Sequence, residues 1–412
     1  MKKTLLKILL LLLLVSGVNA QTDFDSSFFI TPPINVSASR ISILKENSPF
    51  TVQLIDRESI EKTNGSQLSD VLMHANNVYV KSYGGNSSLK TVSVNGLSAE
   101  HTLILLNGVR LNSTQNAQFD ISLLPKESIE SIEIIPSGSS ASYGSDALSG
   151  VINIKTISSG RISDKNSFDT EIGAEYGSFG YAKYNLSLSG QLEKSSFKIL
   201  YSGESSKDDF EYYYFNGKEN ELKTRDNNSY SRNNLYLDYT YDNRSSKLSI
   251  VSYYNTADRF LPGIETGSDP SNANQRDKNW NTIINFEKKD KNVLSASFNF
   301  QNNLTNFSPY PNNANYYKNL FYSASANYLI HNSIFKILLG GEFSAASIES
   351  DQLVGNKQRN TSALFISNET RVSENFILFP SARFENISDI EKQVLTAKIG
   401  LNYKPFKNDI LI

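Results

Sequence analysis

The stretch Phe335-Lys336-Ile337-Leu338-Leu339-Gly340-Gly341-Glu342-Phe343 decides the fold class, because its polarity has a period of two. Alternate positions are apolar or glycine: Phe335, Ile337, Leu339, Gly341 and Phe343. Successive side chains of a β-strand point to opposite faces, so the stretch predicts a strand with one apolar face.

The same period of two returns in Phe179–Ser189, Tyr230–Tyr241 and Leu395–Tyr403. Between Phe168 and Lys404 we count about twelve such segments of roughly 9–12 residues, a length that suits tilted strands crossing a bilayer. An open sheet edge cannot be satisfied in hydrocarbon, so these strands predict an antiparallel membrane β-barrel.

The connections between the segments alternate in length. Four are short polar turns, at Asp242–Ser245, Lys289–Asn292, His331–Ser333 and Val372–Asn375. Four are predicted to be long loops, at Ser205–Ser229, Asp258–Lys278, Asn302–Tyr317 and Ser344–Asn360. This asymmetry, with aromatic residues near strand ends, is typical of outer-membrane barrels. A soluble β-sandwich or solenoid is the alternative, but its strands would usually be shorter.

The composition excludes several classes of protein. The 412 residues are 39% hydrophobic and 20% charged, with a net charge of −2, so no basic face for nucleic acid is indicated. The one long apolar run lies at the N-terminus, which excludes a bundle of membrane helices. There is no cysteine and there are only three histidines, which excludes disulfide scaffolds and thiolate metal sites. Neither His101 nor His331 has an evident catalytic partner, so we expect no enzyme activity.

Residues 1–20 have the features of a secretory signal peptide. Lys2 and Lys3 precede the apolar run Ile8–Val15, and Val18-Asn19-Ala20 predicts cleavage after Ala20. A short membrane anchor is the alternative, but the run is short for a bilayer of about 30 Å. We therefore expect an exported chain that resides in the outer membrane.

The chain up to about Thr156 predicts a separate α+β domain. Asp56 is placed to cap a helix over Arg57–Lys62, and Ser66 to cap a second helix that contains Leu68, Val71 and Leu72. Pro125 is expected to open a helical turn through Ser131. Short strands are predicted at Leu103–Leu106, Ile132–Ile135 and Val151–Ile154.

A barrel of twelve strands is too narrow to enclose such a domain, since plugged barrels have about 22 strands. We therefore expect about twelve of some 22 strands here, in the first part of a longer chain. A small barrel with the domain outside it is the alternative.

Three segments in this order resemble the TonB-dependent outer-membrane receptors, most closely the cobalamin (vitamin B12) receptor branch: Leu103–Leu111, Ile129–Ile135 and Ala141–Ile154. The resemblance implies a periplasmic leader at 21–44, a plug domain at 45–160 and the first part of a transmembrane barrel at 168–412. Two positions depart from the family pattern. Asn95-Gly96 and Pro136-Ser137-Gly138 lack arginines that pair with barrel carboxylates in relatives, so the attachment of this plug is put in doubt.

The resemblance places a TonB box in the leader, at Ile34, Asn35, Val36, Ser37 and Ala38. A short, β-prone segment on a tether can add as a strand to the edge of a partner's sheet. The implied partners are TonB with ExbB and ExbD, and the alternative is an ordinary disordered leader. The chain has no phosphate-binding glycine loop, so energy for transport has to come from such a partner.

Two plug loops are candidate ligand sites, with Tyr83, Asn86 and Ser87 in one and Asn112, Gln115 and Asn116 in the other. Neutral amides and hydroxyls suit a large amide-rich ligand such as cobalamin better than a ferric chelate. A ferric siderophore or haem receptor remains an alternative, as does a passive channel or adhesin with a vestigial plug. The alternative interpretation is that the two loops are solvated turns that bind no ligand.

No cofactor is expected, apart from a candidate structural calcium at Asp208, Asp209 and Glu211. A solvated acidic loop is the alternative reading of these three carboxylates.

Overall fold

A computed structural model describes residues 35–36, 40–41, 43–85, 88–157, 166–263, 272–310 and 313–404. The predicted signal peptide and its cleavage site lie outside the described residues. Within the described ranges, no helix is long and apolar enough to cross a membrane.

The plug domain is built from short strands and helices. The leader contributes β1 (Asn35–Val36) and β2 (Ile43–Leu44). The strands of the plug domain are β3 (Gln53–Ile55), β4 (Val78–Ser82), β5 (Lys90–Val94), β6 (Thr102–Leu106), β7 (Val109–Arg110), β8 (Ile129–Ile135) and β9 (Gly150–Thr156). Its helices are α1 (Arg57–Lys62), α2 (Leu68–Leu72) and α3 (Ser140–Tyr143), with 3-10 turns at Lys45–Asn47, Ala99–His101, Ile121–Leu123 and Lys126–Ser128. The domain is α+β, as predicted.

A five-stranded sheet in the order β3-β8-β9-β6-β7 forms the centre of this domain, and β6 and β9 run parallel. Its apolar side chains, among them Ile104, Ile134 and Ile152, are almost fully buried. Two further pairs of strands, β1-β2 and β4-β5, lie outside this sheet.

Two predicted helix boundaries in the plug domain need correction. Asp56 caps α1 as predicted, with its Oδ1 accepting a hydrogen bond from the Ser59 amide at 2.9 Å. The cap of α2 is Gln67 rather than Ser66, because Gln67 forms a reciprocal capping box with Asp70 three residues later. The turn after Pro125 ends at Ser128 rather than Ser131, because the chain from Ile129 pairs with β9.

The barrel wall is a twelve-stranded antiparallel sheet in which each strand pairs with the next. The strands are β10 (Ser167–Tyr176), β11 (Ala182–Gln191), β12 (Ser195–Ser206), β15 (Tyr230–Asp242), β16 (Ser246–Leu261), β17 (Ala273–Lys289), β18 (Val293–Tyr310), β19 (Asn313–His331), β20 (Phe335–Ser350), β21 (Lys357–Ser373), β22 (Phe376–Ile387) and β23 (Lys392–Tyr403). A separate hairpin of β13 (Glu211–Phe215) and β14 (Asn220–Thr224) lies between β12 and β15. The predicted number of strands is confirmed.

The wall presents apolar side chains outward and polar side chains towards the plug domain. On β15, Leu235 and Leu237 are 49% and 40% exposed, whereas the alternating residues Arg232, Asn234 and Asp238 are buried. An apolar exterior with a polar interior is the pattern of a wall that lies in lipid.

The strands extend further than the sequence predicted. β16 to β21 contain 16 to 19 residues each. The predicted loop Asn302–Tyr317 lies largely within β18 and β19, and most of Ser344–Asn360 lies within β20 and β21. Backbone pairing continues there without apolar alternation, so the sequence pattern does not reveal these parts of the strands.

Candidate functional site

A cavity of about 330 Å³ lies where the plug loop after β7 meets strands β19 to β22. We call this cavity the vestibule. It opens at the end of the wall that carries the β20–β21 and β22–β23 connections. The plug contributes Arg110, Gln115 and Asp146 to its lining, and the wall contributes residues such as Lys357 and Arg359.

The charges that line the vestibule cancel, with four cationic and four anionic side chains: Arg110, Lys357, Arg359 and Arg383 against Asp146, Glu342, Glu385 and Asp389. Most are already paired. Arg110 forms an ion pair with Asp146, Arg359 binds Asp389 at 2.7 Å, and Arg383 binds Glu385 at 2.7 Å. The remaining lining is largely neutral and polar, including Ser344 and Thr361.

The three residues predicted in the second plug loop have different roles. Gln115 lines the vestibule, and its Oε1 accepts a hydrogen bond from Asn319 of β19 at 3.1 Å. Asn116 is exposed, and its Oδ1 accepts a hydrogen bond from the Gln118 amide at 3.2 Å. Asn112 also borders the cavity, but it is only 2% exposed.

Asn112 holds the loop in place rather than presenting its amide to a ligand. Its Oδ1 accepts a hydrogen bond from the Ile104 amide at 2.7 Å. Its Nδ2 donates to the carbonyl oxygens of Thr102 at 2.9 Å and Ala117 at 2.7 Å. The amide therefore has a structural role, which differs from the ligand contact expected from the sequence.

The first plug loop lies elsewhere. Tyr83 is 49% exposed, and the Lys81 ammonium lies 4.5 Å from the centre of its ring. Asn86 and Ser87 lie outside the described residues. A Cβ on Gly85 would be 3.5 Å from Asp208 Oδ2, so this loop packs against the connection that follows β12. No described residue of the loop is among those lining the vestibule.

The predicted calcium ligands do not form a metal site in the described part of the chain. Asp208 is buried, and its Oδ1 accepts a hydrogen bond from the Ser206 hydroxyl at 2.8 Å, whereas Asp209 and Glu211 are exposed. No group of three acidic, histidine or cysteine side chains suited to a metal ion occurs among these residues.

The predicted TonB box is only partly described. Asn35 and Val36 form β1, which pairs antiparallel with Leu44 and Ile43 of β2. Ile34, Ser37 and Ala38 lie outside the described residues. The two described residues of the predicted box are therefore paired within the leader, with Leu44 and Ile43.

Arg40 connects this part of the leader to the barrel wall. Its Nη2 lies 2.9 Å from Glu342 Oε2 of β20. Its guanidinium lies between two aromatic rings, 4.4 Å from the centre of Phe365 and 5.1 Å from that of Tyr143. Arg383 of β22 also binds Glu342, at 3.3 Å, and both of these wall residues line the vestibule. A series of ion pairs thus joins the leader to the cavity.

Arg40, Glu342 and Arg383 are not among the site residues predicted from the sequence. A usable signal was present, because Glu342 occupies the opposite side of its strand from Phe343. A charge at an inward position of a barrel strand has to find a partner in the interior.

The positions that lack the family's arginines are held by hydrogen bonds rather than ion pairs. Asn95 Nδ2 donates to the carbonyl oxygens of Pro136 and Ser149, both at 3.1 Å and both within the plug domain. Lys398 of β23 donates to Ser137 Oγ at 3.1 Å and to the Gly138 carbonyl oxygen at 2.5 Å. The cation at this contact therefore lies on the wall.

Comparison with known proteins agrees with this architecture. A family model described as TonB-dependent Receptor Plug Domain matches residues 44–151. The chain is 32% identical over 172 residues to the vitamin B12 transporter BtuB of Vibrio vulnificus (strain YJ016), a match that covers 42% of this chain and 27% of that protein.

Solved structures of similar fold include the siderophore receptor PiuA from Acinetobacter baumannii, with a TM-score of 0.68 at 12% identity over 92% of this chain and 65% of that chain. The unliganded ferric citrate transporter FecA has a TM-score of 0.67 at 12% identity, over 88% of this chain and 62% of that chain. At these identities the likeness establishes the fold alone. The chain spans less than two thirds of the length of these relatives.

Proposed function

We propose that this chain, which belongs to the TonB-dependent outer-membrane receptors, serves the active uptake of a large and scarce ligand, with the plug gated by energy from TonB, ExbB and ExbD. The family match, the plug domain and the barrel strands support the general class. The ligand and the coupling partners are the parts we infer.

The series of ion pairs from Arg40 through Glu342 to Arg383 is the observation that carries the proposal. One end lies close to the predicted TonB box, and the other lines the vestibule. A ligand that moves Arg383 or Glu342 changes the strength of the ion pair between Glu342 and Arg40. A pull on the leader acts on the same carboxylate from the other side, so the two events are coupled through one group.

The energy needed to expose the box is small. β1 contributes only two residues to its pairing with β2. At about 0.5–1.5 kcal/mol for each backbone hydrogen bond, the pairing is worth roughly 1–3 kcal/mol. A membrane potential supplies about 2.3 kcal/mol per charge per 100 mV, so the transfer of two charges at 100 mV exceeds this cost.

Cobalamin is the ligand that the vestibule favours. Three of its four cations are paired and its formal charge cancels, so an anionic chelate would have to displace existing ion pairs to reach them. A large neutral ligand needs hydroxyl and amide partners, which Gln115 and the neutral wall residues supply. A similar protein, BtuB, is a vitamin B12 transporter. A ferric siderophore or haem ligand is the second candidate, because the structural neighbours include siderophore receptors.

Two deletions in the full-length protein test the transport proposal. Removing residues 21–40 is expected to abolish uptake while ligand binding persists, because the box and Arg40 are lost. Removing residues 21–33 is the matched control and should leave uptake intact. Unchanged uptake after the longer deletion would refute TonB-driven transport and favour a passive channel or adhesin.

Equilibrium binding of cyanocobalamin and of ferric siderophores to the same protein tests the ligand. We expect cyanocobalamin to bind, and Gln115→Ala to weaken its binding. Binding of a ferric siderophore without binding of cyanocobalamin would overturn the cobalamin assignment and leave the transport proposal standing.

A further inference from the structure

The plug segment Asp120–Glu127, which we call the anchor segment, lies against four neighbouring strands of the wall. It contains the 3-10 turn Ile121–Leu123 and the first two residues of the turn at Lys126–Ser128. Side chains from β11, β12, β15 and β16 reach this one segment.

The contacts run along the whole anchor segment. Arg259 Nη2 lies 2.7 Å from Asp120 Oδ2 at one end, and Lys183 Nζ lies 2.6 Å from Glu127 Oε1 at the other. Between them, Arg232 Nη1 donates to the Ser122 carbonyl oxygen at 2.8 Å, and Asn255 Nδ2 donates to that of Leu123 at 3.2 Å.

Lys183, Arg232, Asn255 and Arg259 are buried, each no more than 5% exposed, and so is Lys198 of β12, whose Nζ lies 3.5 Å from the Glu127 carbonyl oxygen. A buried cation that loses its partner bears a large desolvation cost, so water does not easily replace these contacts. The leader side of the plug contacts the wall differently. The partly exposed Arg40 pairs with Glu342, and Ile41 and Val52 pack in one apolar cluster with Phe365 and Phe379 of the wall. Urea solvates apolar groups, so this side should open at a lower urea concentration than a segment held by buried ion pairs.

The polarity of these contacts is the reverse of an arrangement in which plug arginines meet wall carboxylates. Here the wall supplies the cations and the plug supplies the carboxylates and carbonyl oxygens. Arg259 is also held on the wall side, because Asp277 Oδ2 lies 3.7 Å away and Asp277 itself accepts a hydrogen bond from Thr305 at 2.8 Å. Arg259 is therefore positioned by the wall independently of the plug.

We propose that Lys183, Arg232, Asn255 and Arg259 fix the plug to the wall at the anchor segment, and that this segment stays on the wall when the leader side of the plug moves. The part that concerns movement during uptake rests on the proposed function. The attachment itself does not, because it is a property of the closed plug.

The chain has no cysteine, so single cysteines can report on each part of the plug in the full-length protein. Leu124→Cys reports on the anchor segment and Val52→Cys on the leader side, since these residues are only 2% and 3% exposed. In vesicles without TonB, we expect maleimide to label the Val52→Cys protein at a lower urea concentration than the Leu124→Cys protein. Equal urea midpoints for the two reporters would overturn the proposal.

Wall variants identify the groups responsible. Combining Lys183→Met with Arg259→Met should speed labelling at position 124 at least tenfold at a fixed urea concentration. Asp120→Asn should act in the same direction, while keeping an oxygen for the Ser122 amide. Arg276→Met is the matched control, because it removes an exposed ion pair between β17 and Asp258, which lies next to Arg259 on β16. No change in the first two variants, or an equal change in the control, would refute the assignment.

The same reporters in cells with TonB and ligand test the movement. We expect labelling of Val52→Cys and continued protection of Leu124→Cys. Equal labelling of both would overturn the fixed anchor. If neither reporter responds to TonB, the proposed function fails, while the urea experiment still decides whether the anchor segment is fixed.

Discussion

Replacing Asn112 by alanine is expected to release the loop that borders the vestibule. The change removes three hydrogen bonds and leaves the Ile104 amide and the Thr102 carbonyl oxygen buried without this partner. Each buried group left unsatisfied costs about 1–3 kcal/mol, so the local opening free energy should fall by roughly 2–6 kcal/mol. The Ala117 carbonyl is only partly buried, and water replaces its lost bond. Since about 1.4 kcal/mol is a factor of ten, the amide of Ile104 should exchange its hydrogen at least about 30-fold faster.

Hydrogen exchange with peptide-level mass spectrometry across β6 and β7 measures this effect. Asn116→Ala is the matched control, because Asn116 is exposed and accepts only one hydrogen bond, within its own turn. The control should leave exchange at Ile104 unchanged. Equal exchange in the Asn112→Ala variant and the unsubstituted protein would refute the structural role of Asn112 and return it to the set of candidate ligand contacts.

Three further predictions concern charge, backbone conformation and metal binding. Burial alone would raise the pKa of Asp120, but Arg259 and the hydrogen bond from Ser122 hold that pKa below its ordinary value of 3.8. The stability that the Asp120 carboxylate contributes is therefore present above about pH 4 and is lost as the pH falls through the lowered pKa. Plug unfolding followed from pH 5 to pH 2 should show an acid transition that Asp120→Asn weakens. Gly144 has a φ of +86°, and a Cβ there would lie 2.8 Å from Glu385 Oε1. Gly144→Ala should therefore lower the free energy of unfolding of the plug, measured in urea, by about 1–3 kcal/mol. Gly217 has a φ of +95° and no atom within 4 Å of an added Cβ, so Gly217→Ala measures the backbone cost alone. Asp208→Asn should alter thermal stability equally with and without calcium, because its carboxylate is bound to Ser206; a calcium-dependent difference would restore the predicted metal site.

The wall strands could be predicted from the sequence where they cross the membrane, but not in the outer parts of β18 and β19 that extend beyond it. Alternation reveals a strand only where one face meets lipid and the other meets the plug, as in Leu235 and Leu237 against Arg232 and Asp238. In the outer halves of β18 and β19, asparagine, serine and tyrosine occupy both faces, and backbone pairing alone defines the strand. A loop and a paired strand of this composition have the same sequence pattern, so the outer parts of these strands were predicted as loops.

The candidate site was less predictable for a different reason. An asparagine in a polar loop has the same chemistry whether it binds a ligand or its own backbone, and only the positions of the Thr102 and Ile104 backbone groups assign Asn112 to the second role. Arg40 and Glu342 are 302 positions apart, so no local pattern joins them. The three plug segments that carry the resemblance were recognisable because each is a contiguous stretch of sequence, such as the strand, turn and strand of Leu103–Leu111.

The outer parts of the long wall strands extend beyond the length that is needed to cross a bilayer. β18 contains 18 residues, and at about 3.3 Å per residue its outer part continues for some 25 Å along the strand beyond the ten or so residues that a bilayer requires. Because β18 and β19 pair through most of this part, the extension is a ribbon with a defined strand register rather than a loop.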